Sequence, residues 1–147
     1  MKTVAKVIIR DSKSKILILV RSSSHPFFAN HLDFPGGEVE IGEDNITGII
    51  REIHEEIGID LSSSKIKLLF DKKIKNNLTH VLYEYWLDGI TPHLNIGWEH
   101  SDYKWLDETE LLKQELPAAI DPYYKDVINF LTELSQRDTY KKLPKIS

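Results

Sequence analysis

Apolar positions along this chain follow two periods, and the changes between them mark its elements. Val4 to Ile9 is dense in aliphatic residues, and Ile16 to Val20 is a continuous β-branched-rich run. Both read as strands, the second buried on both faces, joined by a polar turn at Asp11 to Ser14. Arg21 to His31 has no period and reads as a loop. Leu32 to Phe34 reads as a short strand, ended by the punctuation Pro35-Gly36-Gly37.

The period then becomes helical. Ile46, Ile49, Ile50, Ile53 and Ile57 form the stripe of an amphipathic helix from about Asp44 to Ile57. Asp44 is placed as its N-cap and Gly58 as its left-handed C-terminal cap. Glu52, Glu55 and Glu56 fall on another arc of the same helix, centred roughly 130° from the stripe at about 100° per residue.

Alternation returns at Ile66 to Phe70 and more clearly at Leu78 to Leu87, where Val81, Tyr83, Tyr85 and Leu87 share a face. Asn76-Asn77 suits the turn between these strands. Asp88-Gly89 and Pro92 open a long connection to a strand at Tyr103 to Leu106. Asp107 with Glu110 resembles a capping box for a short helix to about Glu115. Asp121-Pro122 starts a last helix striped by Tyr123, Val127, Phe130, Leu131 and Leu134. Strands interleaved with helices predict an α/β fold, a mixed sheet with helices on its faces.

At 147 residues, 41% hydrophobic and 29% charged, the chain suits one domain with its own core, with a polar tail from about residue 136 to 147. It has no cysteine, which excludes disulfides, thiolate metal sites and a cysteine nucleophile. No apolar run spans a bilayer and no signal peptide is evident, so a cytoplasmic protein without a membrane partner is expected. A net charge of −4 argues against binding long nucleic acid. Lys141, Lys142 and Lys145 read as a solvated tail.

The glutamate arc carries the chemistry. Like charges three and four apart destabilise a helix by a few tenths of a kcal/mol per pair, roughly. Arg51 can pair with Glu55 at i+4, which leaves two carboxylates unbalanced. A charge run on a helix is usually a solvated face, but a bound cation would make this one a site. All-oxygen ligands point to Mg²⁺ or Mn²⁺ rather than zinc, and so to phosphoryl chemistry.

The wider pattern narrows this reading. Gly37, five residues, Glu43, seven residues, Arg51-Glu52, Ile53, His54, Glu55-Glu56, Ile57, Gly58 and Ile59 stand in order. This stretch resembles the Nudix box without a mismatch. With average residue usage a chance match in such a chain is on the order of 10⁻⁷. The resemblance implies a Nudix-type α/β/α sandwich with a mixed β-sheet and the box as a loop–helix–loop. It implies metal ligands at Glu52, Glu55 and Glu56, support from Glu43, orientation of the glutamates by Arg51, and a backbone oxygen from Gly37. Two departures stand out. Gly48-Ile49 replaces a pair of small residues, and Leu32 stands where family members often carry Trp.

The implied reaction is hydrolysis of a pyrophosphate bond in a nucleoside di- or triphosphate derivative, with a small nucleotide as substrate. A nucleoside triphosphate pyrophosphohydrolase fits the short chain best. Nucleotide sugars, dinucleoside polyphosphates and capped RNA ends remain open. Similar proteins use either a box glutamate or a later loop glutamate as general base. Those positions are Glu56 and Glu99 here, with Trp105 following Glu99 as a strand tryptophan often does. A basic residue at Arg21 meets substrate phosphate in similar proteins. Phe27 and Phe28 could stack on a base, against the plainer role of packing the loop. His25, His31 and His100 flank the site loops and read as exposed polar residues, while His54 has no role in the box. A homodimer is compatible with the resemblance. A non-catalytic nucleotide-binding module of the same fold is the alternative. An isoprenoid diphosphate isomerase of this fold typically needs a cysteine, which is absent.

Overall fold

The computed structural model describes residues 1–142, and side-chain surroundings for residues 1–137. The chain divides into two compact units, the first from Met1 to Glu108 and the second from Thr109 on.

The first unit is built on a seven-stranded mixed sheet. Its strands are β1 (Lys2–Arg10), β2 (Ile16–Arg21), β3 (Leu32–Asp33), β4 (Gly36–Glu38), β5 (Lys67–Lys75), β6 (Leu78–Trp86) and β7 (His100–Leu106). The main path runs β3-β2-β1-β6-β5, with β4 paired to β1 and β7 to β2. β1 is parallel to β6 over its whole length, from Lys2 opposite Leu78 to Arg10 opposite Trp86. Parallel neighbours need a crossover, and the segment between them holds helix α1 (Asn45–Ile57). The expected pairing of the first two strands is slight, with Arg10 opposite Ile16 as their register pair. Most of β2 instead pairs antiparallel with β7.

Helix α1 forms where its period placed it. The Asp44 carboxylate accepts the Thr47 N–H at 2.7 Å, and Gly58 ends the helix at φ 75°, its N–H donating to the His54 carbonyl. Ile49, Ile53 and Ile57 are buried against Ala5, Val7, Ile9, Leu17, Leu19, Val81, Tyr83 and Tyr85. Each such isoleucine contributes about 1.5–3 kcal/mol of burial. On the alternate positions of the strands, Ile8, Ile16, Ile18 and Leu82 are also fully buried, so the run from Ile16 to Val20 is apolar on both faces for a structural reason. Gly48 is excused by packing: a Cβ there would stand 3.0–3.1 Å from Val39 and Glu43.

Three strands depart from expectation. β4 uses the glycines as strand rather than turn, with Gly36 opposite Lys6 and Gly37 opposite Ala5. The approach is closer than a side chain allows, since a Cβ on Gly36 would lie 2.2 Å from the Ala5 carbonyl oxygen. β5 runs on through the polar Asp71 to Lys75 because it is an edge strand; its lysines and two register shifts blunt that edge. β7 begins at His100, which pairs with Arg21 across a register shift in β2.

The second unit holds α3 (Pro122–Lys142) and most of α2 (Glu108–Lys113). In α3 the buried positions are Tyr123, Tyr124, Val127, Ile128 and Leu131, while Phe130 and Leu134 of the expected stripe are half-buried. Good helix formers such as Gln136 and Arg137 carry the helix beyond Ser135. The surroundings of Lys141, Lys142 and Lys145, read from sequence as a solvated tail, lie outside the described residues.

Candidate active site

The box glutamates are organised by one guanidinium. Arg51 grips Glu43 with two bonds, Nε to Oε2 at 3.1 Å and Nη2 to Oε1 at 2.7 Å. Its Nη1 donates to Glu52 and to Glu55, each at 3.1 Å, and Nη2 also reaches the Glu38 carbonyl at 3.2 Å. Glu43 is doubly held, because its Oε1 also accepts the Glu40 N–H at 2.7 Å. The Arg51 bond holds the Glu43 carboxyl below its usual range, and Glu43 in turn raises Arg51.

Glu56 turns the other way. It is half-buried, and its Oε1 accepts the Gly36 N–H at 2.9 Å. Burial pushes its carboxyl well above the usual range, with the charge of Asp33 adding to that and the Gly36 bond and Lys6 opposing it. Burial also raises Glu52, against the pull of Arg51. Gly37 leaves room for Glu52, whose Cδ and Oε2 would lie 2.7 Å from a Cβ there.

Glu52, Glu55 and Glu56 share a pocket of about 150 Å³ with Gly97, Trp98, Glu99 and His100. The fold therefore brings Glu99, predicted from the later loop, to the box. The loop is fixed at its base, where the Ser22 N–H donates to the Glu99 carbonyl at 2.8 Å and the His100 N–H closes a turn on the Gly97 carbonyl at 3.3 Å.

Beneath this loop lies a buried ion cluster. Asp33 receives the Lys6 ammonium on one oxygen and the Arg21 guanidinium on the other, the latter at 3.1 Å. Burial would raise the Asp33 carboxyl, yet Lys6 and Arg21 together hold it below its usual value. Arg21 is 5% exposed, and it also donates to the Phe27 carbonyl at 2.9 Å. It is thus a buried holder of the loop, not a surface cation. Phe28 lies over the Arg21 guanidinium at 5.6 Å, while Phe27 is 68% exposed.

The expectation of exposed histidines fails at His100. It is 5% exposed, and its Nε2 has no hydrogen-bond partner among the described residues. Burial lowers its pKa to about 4. Its ring meets that of His25 at 6.4 Å between centroids, whereas His31 stacks obliquely on Phe28 at 5.7 Å. His54 pairs with Asp60 at 2.6 Å. Leu32 is half-buried in β3.

Sequence reasoning did not find Lys6, Asp33, Trp98 or Gly36. Lys6 did carry a signal, as a lone cation inside an apolar strand, which demands a buried partner. Asp33 is the acid that supplies it, and the paired strands β1, β2 and β3 carry the three residues.

As they stand, no three His, Asp or Glu side chains among the described residues converge closely enough to hold a metal ion. The physical reason is visible: Arg51 engages Glu43, Glu52 and Glu55, and Glu56 is turned to Gly36. The donor set nonetheless suits a hard cation, being all carboxylate oxygen around one pocket, with Gly37 keeping the space beside Glu52 open.

A model of the NUDIX domain matches residues 2–127. The chain belongs to the Nudix family. Its Nudix box is the loop–helix–loop from Gly37 to Ile59. A curated relative, 8-oxo-dGTP diphosphatase of Escherichia coli (strain K12), is 28% identical over 119 residues, covering 81% of this chain and 90% of the relative. Among solved structures, a MutT protein from Methanosarcina mazei Go1 shares the fold at a TM-score of 0.70 and 23% identity, covering 92% of this chain and 94% of its own. A structure described for MutT from Aliivibrio salmonicida and Vibrio cholerae aligns at a TM-score of 0.65 and 26% identity, over 87% and 97% of the two chains. This Nudix protein is accordingly a pyrophosphohydrolase, which sets aside the non-catalytic alternative. Nudix hydrolases generally use a divalent metal. Among the described residues no helix is long and apolar enough to cross a membrane.

Proposed function

We propose that the protein hydrolyses nucleoside triphosphates to the monophosphate and pyrophosphate, with Mg²⁺ or Mn²⁺. The observation that carries this reading is the single pocket shared by Glu52, Glu55, Glu56 and Glu99. The likeness to an 8-oxo-dGTP diphosphatase supports the substrate class and makes oxidised purine nucleotides the first to test.

Glu52, Glu55 and Glu56, with the Gly37 backbone oxygen, would hold the cation, and Glu43 would support it. The cation would polarise phosphate oxygens and offset the charge of the leaving group. Water oxygen bonds to one of the two phosphorus atoms flanking the α,β-bridging oxygen, the bond from that phosphorus to the bridging oxygen breaks, and the other fragment departs with the electron pair, leaving the monophosphate and pyrophosphate. Glu99 takes the water's proton. It is exposed on a loop pinned by Ser22 and so can reach solvent water. Glu56 is the alternative base, already oriented by Gly36. Arg51 keeps Glu52 and Glu55 at fixed spacing while Glu43 fixes Arg51.

The test is turnover on a nucleotide panel with Mg²⁺ or Mn²⁺, comparing Glu99→Gln with Glu56→Gln. Loss of a general base lowers kcat by about 10²–10⁴-fold. Glu99→Gln is expected to lose that much with metal affinity retained; if it keeps wild-type kcat while Glu56→Gln loses it, the base is Glu56. No release of pyrophosphate or phosphate from any nucleotide would refute the reading.

A further inference from the structure

We infer that Trp98 is the stacking platform for the substrate's base. This deepens the reading of the same pocket and rests on it. The four residues Gly97 to His100 form one turn, closed by the His100 N–H on the Gly97 carbonyl at 3.3 Å. Trp98 and Glu99 occupy its two central positions. Both line the pocket with Glu52, Glu55 and Glu56. The turn is anchored on two sides, by the Ser22 N–H on the Glu99 carbonyl at 2.8 Å and by the register pair Arg21 and His100. An aromatic plane and a carboxylate are therefore held on one frame. A nucleotide whose phosphates meet the glutamates enters the pocket that Trp98 also lines.

The exposure of Trp98 is the second observation. The residue is 68% exposed. Single exposed hydrophobic residues are ordinary, so the comparison with the other tryptophans decides. Trp86, also exposed, has its ring over the Arg10 guanidinium at 5.4 Å and its indole N–H directed to Glu84 at 3.4 Å. Trp105 packs against the core. Trp98 has none of these contacts among the described residues. His100, next on the turn, is buried and stiffens the frame against His25. The exposed Phe27 stands on the loop that Ser22 ties to this turn. A largely exposed aromatic side chain, with no ring, guanidinium or N–H partner among the described residues and held beside carboxylates that suit metal and phosphate, matches a flat heterocycle. Stacking of this kind accepts any base, since every base has a π-face.

The experiment is tryptophan fluorescence with an α,β-methylene purine nucleoside triphosphate and Mg²⁺, set beside tripolyphosphate. The nucleotide is expected to quench wild-type protein and Trp86→Phe, but not Trp98→Phe; tripolyphosphate quenches none of them. In turnover, Trp98→Ala is expected to raise KM about tenfold or more, with kcat within about threefold, and Trp98→Phe to recover most of the loss. Circular dichroism checks that Trp98→Ala is folded. Equal quenching in Trp98→Phe, or an unchanged KM in Trp98→Ala, overturns the inference. Quenching without turnover of the hydrolysable nucleotide would leave stacking standing and remove the proposed reaction. Turnover without Trp98-dependent quenching would do the reverse.

Discussion

Two adjacent glycines should separate stability from activity. A Cβ on Gly36 would lie 2.2 Å from the Ala5 carbonyl oxygen and 2.6 Å from the Lys6 Cα, both backbone atoms, and φ there is 138°. Ordinary contact needs about 3.4 Å, so Gly36→Ala must push β4 from β1 by about 1 Å. Backbone strain alone costs about 1–3 kcal/mol. With the lost pairing to β1 the total should exceed about 4 kcal/mol, the range reserved for severe lesions. At Gly37 the obstacle is instead the end of the Glu52 side chain, with Cδ and Oε2 both 2.7 Å away. Glu52 can swing aside by under about 1 Å, so the fold should lose less than about 1 kcal/mol. A reacting group displaced by that distance costs about 10²-fold in rate. Urea unfolding and steady-state turnover on both variants are the assay. Gly36→Ala is expected to lose most of its stability, and Gly37→Ala to keep it while kcat falls about a hundredfold. A Gly37→Ala enzyme with wild-type kcat, or a Gly36→Ala protein of wild-type stability, would refute the reasoning.

Other outcomes follow from the same contacts. Asp33→Asn leaves Lys6 and Arg21 buried without their shared carboxylate, and urea unfolding should show a loss of about 3–5 kcal/mol. Because the Asp33 carboxyl titrates below its unfolded value of 3.8, its contribution is present above that pH and is lost as pH falls through the lower folded value; the acid arm of a wild-type stability curve should flatten in the variant. Arg51→Lys cannot reproduce the two-pronged grip on Glu43, so metal affinity or kcat should fall about 10–100-fold, read by metal titration of turnover. Asp44→Ala removes the cap on Thr47 and should cost about 0.5–2 kcal/mol by denaturant unfolding, with kcat little changed.

Much of the fold was legible because local chemistry and tertiary packing agree. The isoleucine stripe of α1, its Asp44 cap and its Gly58 stop are local signals, and the sheet it packs on asks for the same face. The sequence pattern faltered where partners set the structure. β4 is a strand only because Ala5 and Lys6 lie across from two glycines that permit close approach. The polar half of β5 is a strand because β6 pairs with it. The site divides in the same way. Glu43, Arg51, Glu52, Glu55 and Glu56 are spaced along one helix and its approach, so their grouping could be read from spacing, and the resemblance then located Glu99. The Lys6–Asp33–Arg21 cluster joins three strands, and its three residues lie apart in sequence. His100 looked like an exposed loop histidine because its burial depends on pairing with Arg21 in β2.

Phosphorus NMR of the purified protein with a purine nucleoside triphosphate, run with Mg²⁺ and then with excess chelator, bears on the glutamate pocket itself. Signals of the monophosphate and pyrophosphate should grow with Mg²⁺, stop on chelation and be absent in a folded Glu52→Gln, Glu56→Gln double variant. Products formed at the same rate in that double variant or in chelator would contradict a metal-dependent reaction at these carboxylates.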